Sequence, residues 1–126
     1  MNFVHSFNSD GKNYADAQEF CETAAMNGYK SGRLFEPHTL SFNDKVYDES
    51  LVAFGGNKLA WIGINAKGGP WVYTESGTAL EFENWKSGQP NGSGAHVQDC
   101  VMWPTTGGNW FDYYCEKKIS FICEFD

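Results

Sequence analysis

Asp99-Cys100-Val101-Met102-Trp103, then Trp110-Phe111-Asp112, Cys115, and Phe121-Ile122-Cys123-Glu124-Phe125 follow one another towards the end of the chain, and their reading decides the fold. Short runs of β-branched and aromatic residues predict closing strands over 100–103, 109–113 and 119–125. Three of the four cysteines, Cys100, Cys115 and Cys123, lie here, and the fourth is Cys21. They form no Cys-x-x-Cys pair and have no neighbouring His pair, which argues against a zinc site and a thioredoxin-like dithiol. An even count in a small, loop-rich chain favours two disulfides and an oxidising compartment. Reduced, buried thiols are the alternative. The residues alone leave three pairings open.

Upstream, Phe3 to Phe7 predicts a first strand that ends in a turn at Ser9-Asp10-Gly11. Asn13 is a good helix N-cap with Asp16 three residues on, where a carboxylate favours a helix N-terminus. The helix runs from Tyr14 to about Met26, with Tyr14, Ala17, Cys21 and Ala24 on one face and Asn27-Gly28 as its stop. A second helix is expected from about Ser41 to Phe54, with Phe42, Val46 and Leu51 on a stripe and Gly55-Gly56 at its end. Strands follow over 59–64 and 71–74. Two helices followed by short antiparallel strands make an α+β domain. The polar stretch from about Lys86 to Asp99 is too long for an ordinary connection, and long ordered loops usually carry function.

The chain is short enough to be one domain over 1–126, without linker, repeat or low-complexity segment. Five Trp, six Tyr and ten Phe argue for an ordered core, and fourteen Gly for many tight turns. A formal charge of −7 with no Lys/Arg cluster excludes a nucleic-acid surface. No apolar run reaches membrane-span length, and Met1-Asn2-Phe3-Val4-His5 lacks a signal-peptide core. A secreted protein of this sequence is therefore expected to be a mature form, although the residues alone equally permit a cytosolic one. Gly-x-Ser-x-Gly, His-Glu-x-x-His and Walker-type motifs are absent. His5, His38 and His96 are scattered, and Asp48-Glu49 falls on a solvent face of the second helix. Catalysis is not expected.

Taken in order, Trp61-Ile62-Gly63-Ile64, Asn84-Trp85, Gly88-Gln89-Pro90-Asn91, Asp99-Cys100-Val101, Trp110-Phe111-Asp112, Cys115 and the Phe121–Phe125 run resemble the C-type lectin-like domain. The early Tyr14-Ala15-Asp16-Ala17-Gln18-Glu19-Phe20-Cys21 is similar to that family's first helix. Any one motif is weak; the whole series spans essentially the full chain. The resemblance implies a C-type lectin-like fold, with two helices, short antiparallel sheets and a long polar loop. It implies disulfides Cys21–Cys123 and Cys100–Cys115, worth about 4.7 and about 3 kcal/mol in the chain-entropy model. The first bridge ties helix one to the last strand, so the termini should lie close together. Trp61, Trp85 and Trp110 sit in framework motifs and are expected in the core.

In sugar-binding members of the family, Ca²⁺ on the long loop bonds two sugar hydroxyls. The ion is held by a Glu-Pro-Asn or Gln-Pro-Asp triplet whose Pro is cis, by a Glu before the Cys-bearing strand, and by Trp-Asn-Asp. Here Gln89 and Asn91 stand in the triplet, Gln98 replaces the Glu, Phe111 replaces the Asn, and Asp112 is kept. If calcium binds, its ligands are Gln89, Asn91, Gln98 and Asp112. One carboxylate among amides compensates a doubly charged ion poorly, and Asn65 to Gly69 holds no acidic cluster for the family's auxiliary site. No metal is favoured at the loop, and calcium is expected to be weak or absent.

Sugar binding survives that loss in this reading. Gln89, Asn91, His96, Gln98 and Asp112 can meet sugar hydroxyls or an acetamido group, and Trp103 and Phe111 offer rings to a pyranose face. Phe111 has a second reading, as a plug for the space an ion would take. Galactose, N-acetylgalactosamine or N-acetylglucosamine glycans are the expected partners. The competing role is a calcium-free module binding protein or a surface such as ice or mineral. Asn91-Gly92-Ser93 is an N-glycosylation sequon whose use would obstruct the loop. A soluble defence lectin is expected to act as a non-covalent homodimer, with the first strand as one candidate edge.

Overall fold

The computed structural model describes residues 3–24, 31–90 and 99–126. Among them, strands β1 (Val4–Lys12), β2 (Gly32–Leu34), β3 (Ala60–Asn65), β4 (Val72–Tyr73), β5 (Cys100–Trp103), β6 (Phe111–Tyr113) and β7 (Ile119–Phe125) form one sheet, with helices α1 (Tyr14–Thr23) and α2 (Leu40–Phe54). The strand order is β1-β7-β3-β5-β6, with β2 beside β7 and β4 beside β3. The pairs are antiparallel except β3 with β7, which run parallel with Ala60 opposite Ser120. Val4 pairs with Phe125, so the first and last described strands lie side by side.

Side-chain alternation along the strands divides the interior into two clusters, one per face. Trp61 of β3, Cys100 and Met102 of β5, and Phe121, Cys123 and Phe125 of β7 join Tyr14, Ala17 and Cys21 of α1 in the first cluster. Their strand neighbours Ala60, Ile62, Ile64, Val101, Trp103 and Ile122 join Val46 of α2 in the second, with Phe35, Tyr73 and Trp110. A period of two in sequence thus becomes two cores in space.

Both helices start where side-chain oxygens cap them. Asn13 Oδ1 accepts from the Asp16 N–H at 2.9 Å, and Thr39 Oγ1 accepts from the Phe42 N–H at 3.1 Å. The first helix stops at Thr23, short of the expected Met26, because Ala24 turns to an extended conformation. The Asn27-Gly28 stop lies outside the described residues. The second helix begins one residue earlier than expected and ends at Gly55, whose φ of 73° closes it in the left-handed region. Its buried stripe is Asn43, Val46 and Ser50, where Phe42, Val46 and Leu51 were expected. Phe42 is instead half-buried beside Phe35, and Leu51 lies at the rim.

The turn expected at Ser9-Asp10-Gly11 is an irregularity inside β1: Asn8 faces Phe121 and Lys12 faces Ile119, so the register shifts between them. Strand β2 carries no sequence signal because it is so short. Two glycines make its fit possible. A Cβ at Gly32 would stand 2.3 Å from the Cys21 carbonyl oxygen, and one at Gly63 would stand 2.6 Å from that of Leu34. Both disulfides form as the resemblance implied, Cys21–Cys123 and Cys100–Cys115, and the described residues include no free cysteine.

Candidate functional site

The long loop leaves the body after Asn84-Trp85 and returns through β5. Its base is held from the side of the second cluster. Trp110 N–H donates to the Asn84 carbonyl at 2.8 Å, Lys86 N–H to the Trp110 carbonyl at 3.0 Å, and Gln89 N–H to the Lys86 carbonyl at 2.8 Å. Two of these bonds link Gln89, through Lys86, to Trp110 just before β6, and the third ties Trp110 to Asn84. The Gln89–Pro90 peptide is cis. Gln89 is half-buried, and its Oε1 is buried with no hydrogen-bond partner among the described residues.

Asp112 is 3% exposed, in the middle of β6 opposite Val101. Cross-strand neighbours share a face, so its carboxylate lies on the side of the second cluster. Phe111, one residue earlier, points the other way and packs against the first cluster. The structure therefore separates two residues that the sequence reading grouped, and Phe111 shares no face with Asp112. Trp103 is a correction of another kind. It is 1% exposed, edge-on to Tyr47, with its indole N–H donating to Asn43 Oδ1 at 3.3 Å. Strand alternation turns it into the second cluster, so no ring face remains for a pyranose. Asn91, His96 and Gln98 lie outside the described residues.

Trp61 and Trp110 are fully buried, as their framework positions implied. Trp85 is only half-buried. Its ring lies 4.9 Å from the half-buried Trp71 ring and 5.6 Å from Trp110, and its N–H donates to Glu83 Oε1 at 2.7 Å. Sequence reasoning missed the Trp71–Trp85 pair as aromatic surface at the foot of the loop. The signal was the Gly68-Gly69-Pro70 turn, which leaves Trp71 just ahead of the two-residue strand β4. It also missed Asn43, a polar residue in an apolar stripe.

Calcium requires six to eight oxygens, several of them anionic. The positions implied as ligands hold one carboxylate, Asp112, and three amides, Gln89, Asn91 and Gln98, while the Phe111 ring turns to the opposite face. Among the described residues no group of three or more His, Cys, Asp or Glu is arranged around a cation position. One carboxylate among three amides compensates a doubly charged ion poorly.

The family model described as Lectin C-type domain matches residues 10–125, and the chain belongs to that family. It is 35% identical over 116 residues to Collectin-10 of Gallus gallus, covering 90% of this chain and 38% of that protein. It is 30% identical over 118 residues to tetranectin of Bos taurus, covering 89% of this chain and 57% of that protein. The chain thus spans less than two thirds of these relatives. The structure superposes on human lithostathine with a TM-score of 0.82 at 28% identity, covering 100% of this chain and 85% of that one. The mouse scavenger receptor C-type lectin carbohydrate-recognition domain gives 0.81 at 25%, covering 98% and 88%. No helix among the described residues is long and apolar enough to cross a membrane.

Proposed function

We propose that this C-type lectin domain binds carbohydrate, without catalysis, through the long loop and its base, with weak or no dependence on calcium. The observation that carries the proposal is the placement of Gln89 and Asp112. The first keeps a buried amide oxygen with no described partner, and the second keeps a carboxylate on β6, the neighbour of the strand by which the loop returns. Amide and carboxylate groups can meet sugar hydroxyls or an acetamido group, which directs the proposal to galactose, N-acetylgalactosamine and N-acetylglucosamine glycans. With Trp103 internal, the half-buried Trp71–Trp85 pair at the start of the loop is the aromatic surface this reading uses, and Asn91, His96 and Gln98 belong to the proposed set by their position in the sequence.

Two disulfides agree with an oxidising, extracellular location. A non-covalent homodimer through the outer edge of β1 would multiply weak single-site binding, and a monomer mass by light scattering at working concentration removes that part of the proposal.

The test is binding to immobilised galactose, N-acetylgalactosamine, N-acetylglucosamine and mannose in excess calcium and in EDTA. Binding that persists in EDTA is expected. Binding lost in EDTA returns the four oxygen ligands to a calcium site, and no binding in either buffer transfers the role to a protein or a surface such as ice or mineral.

A further inference from the structure

A single amide outside the loop grips the framework on both sides of it. Asn43 is fully buried on the second turn of α2. Its Oδ1 accepts the indole N–H of Trp110 at 3.0 Å and that of Trp103 at 3.3 Å. Its Nδ2 donates to the Gly108 carbonyl at 3.0 Å and to Asp44 Oδ1 at 3.2 Å. A carbonyl oxygen has two lone pairs and an amide nitrogen two protons, so every hydrogen-bonding position of this side chain is filled. The two indole donors also determine which way the amide faces, because only its oxygen can accept both.

These partners are the framework of the loop. Trp103 ends β5, the strand by which the loop returns. Gly108 and Trp110 immediately precede β6 and Asp112. The Gly108 carbonyl accepts a second hydrogen bond, from Asn84 Nδ2 at 2.9 Å, at the point where the loop departs. Gly108 lies so close to α2 that a Cβ there would stand 3.1 Å from Tyr47 Cγ.

We propose that Asn43 is a positioning residue of the long-loop site: through Trp103, Trp110 and the shared Gly108 carbonyl it sets the spacing between the loop's departure at Asn84 and the Asp112 strand. This rests on the sugar-binding reading above, since it assigns the device that holds that site in register. The residue touches no ligand itself.

Asn43→Asp separates this role from simple core support. Ionised, Asp keeps an acceptor for the indoles but sets a second oxygen against the Gly108 carbonyl. Protonated, its O–H donates there as the amide did. Asn43→Leu supplies neither group at any pH. Asp44 and Tyr47 are the titratable side chains that adjoin Asn43, and Asp44→Asn controls for the nearer one.

The experiment compares the intact chain with these variants in neutral and mildly acidic buffer. The probes are immobilised N-acetylgalactosamine, the indole N–H resonances of Trp103 and Trp110, and amide exchange at Phe111, Asp112 and Tyr113. Relative to the unsubstituted chain at the same pH, Asn43→Asp is expected to bind sugar about tenfold more weakly at neutral pH, with faster exchange in β6, and to recover both on acidification. Asn43→Leu is expected to lose both without recovery. Affinity and exchange unchanged in both variants overturn the proposal, as does an equal, pH-independent loss in the two. If the unsubstituted chain binds no sugar, the functional reading falls while exchange and the indole resonances still decide the clamp. Should Asn43→Asp fail to fold, Asn84→Ala removes the other donor to Gly108, and unchanged β6 exchange there counts against the proposal.

Discussion

The two faces of the sheet are held by different means. The α1 face carries all four cysteines, at its core or rim, and the 102-residue span of Cys21–Cys123 ties the helix to β7. The α2 face has no covalent tie. It relies on aromatic packing around Trp103 and Trp110 and on the Asn43 amide that joins them, and it is the face from which the long loop extends. A disulfide stabilises mainly by limiting the unfolded chain, whereas a buried polar hub acts in the folded state, where it selects one arrangement of its partners. The stapled half supplies endurance, and the hydrogen-bonded half supplies the geometry of the site.

The strongest way to break this comparison is to cut the staple. Replacing Cys21 and Cys123 by Ser should cost about 4.7 kcal/mol of unfolding free energy in denaturant titration, and replacing Cys100 and Cys115 about 3. If the short bridge proves the more costly, the long tie is not what secures the α1 face. Next in size is Asn43→Leu, which orphans two indole donors, takes from the Gly108 carbonyl one of its two donors, and should cost on the order of 3 kcal/mol. A loss under about 0.5 kcal/mol, the size of an ordinary surface substitution, would show that the α2 face does not depend on its hub.

Smaller still, Gln89→Ala should weaken sugar binding about tenfold, the equivalent of one lost hydrogen bond, with little change in melting temperature. Unaltered sugar binding in titration calorimetry would move the site away from the foot of the loop. The smallest expected effect concerns Glu36, a buried carboxylate beside His38 and Glu75. Burial pushes its carboxyl above the usual range, offset in part by the Glu75 N–H that donates to it at 2.7 Å and by His38. A raised folded-state value means that the native chain binds this proton more tightly than the unfolded chain. Stability from this group is therefore greatest below the ordinary carboxylate range and falls as pH rises through the raised value. Glu36→Gln should flatten that fall in thermal melts, leaving a remainder from Glu75, which is raised for the same first reason. A melt-versus-pH curve unchanged by the substitution would remove Glu36 as its source.

Much of the fold was legible in the chain itself, because the signals were local. Asn13 and Gly55-Gly56 mark helix ends through groups only a few residues away, and the near-continuous apolar runs of Cys100–Trp103 and Ile119–Phe125 mark strands buried on both faces. The misreadings came from signals that depend on distant partners. Ser9-Asp10-Gly11 has turn chemistry, yet pairing with β7 draws it into a strand. Asn43 looks like the polar side of α2 until tertiary contacts satisfy it, through two indoles some sixty residues away in sequence, whereas the buried Ser50 is satisfied within the helix by the Tyr47 carbonyl at 2.6 Å.

For the candidate site the division follows the same physics. The sequence by itself determined the family, the two disulfides once that resemblance was drawn, and the chemical character of the loop: amides where carboxylates would hold an ion, and one retained aspartate. Only the tertiary structure decided which side chains share a face. Trp103 turned inward, Phe111 and Asp112 parted across the sheet, and Trp71 came beside Trp85. The type of a side chain is a property of its own residue; its direction is set by strand register, and register is settled only when the whole sheet has formed.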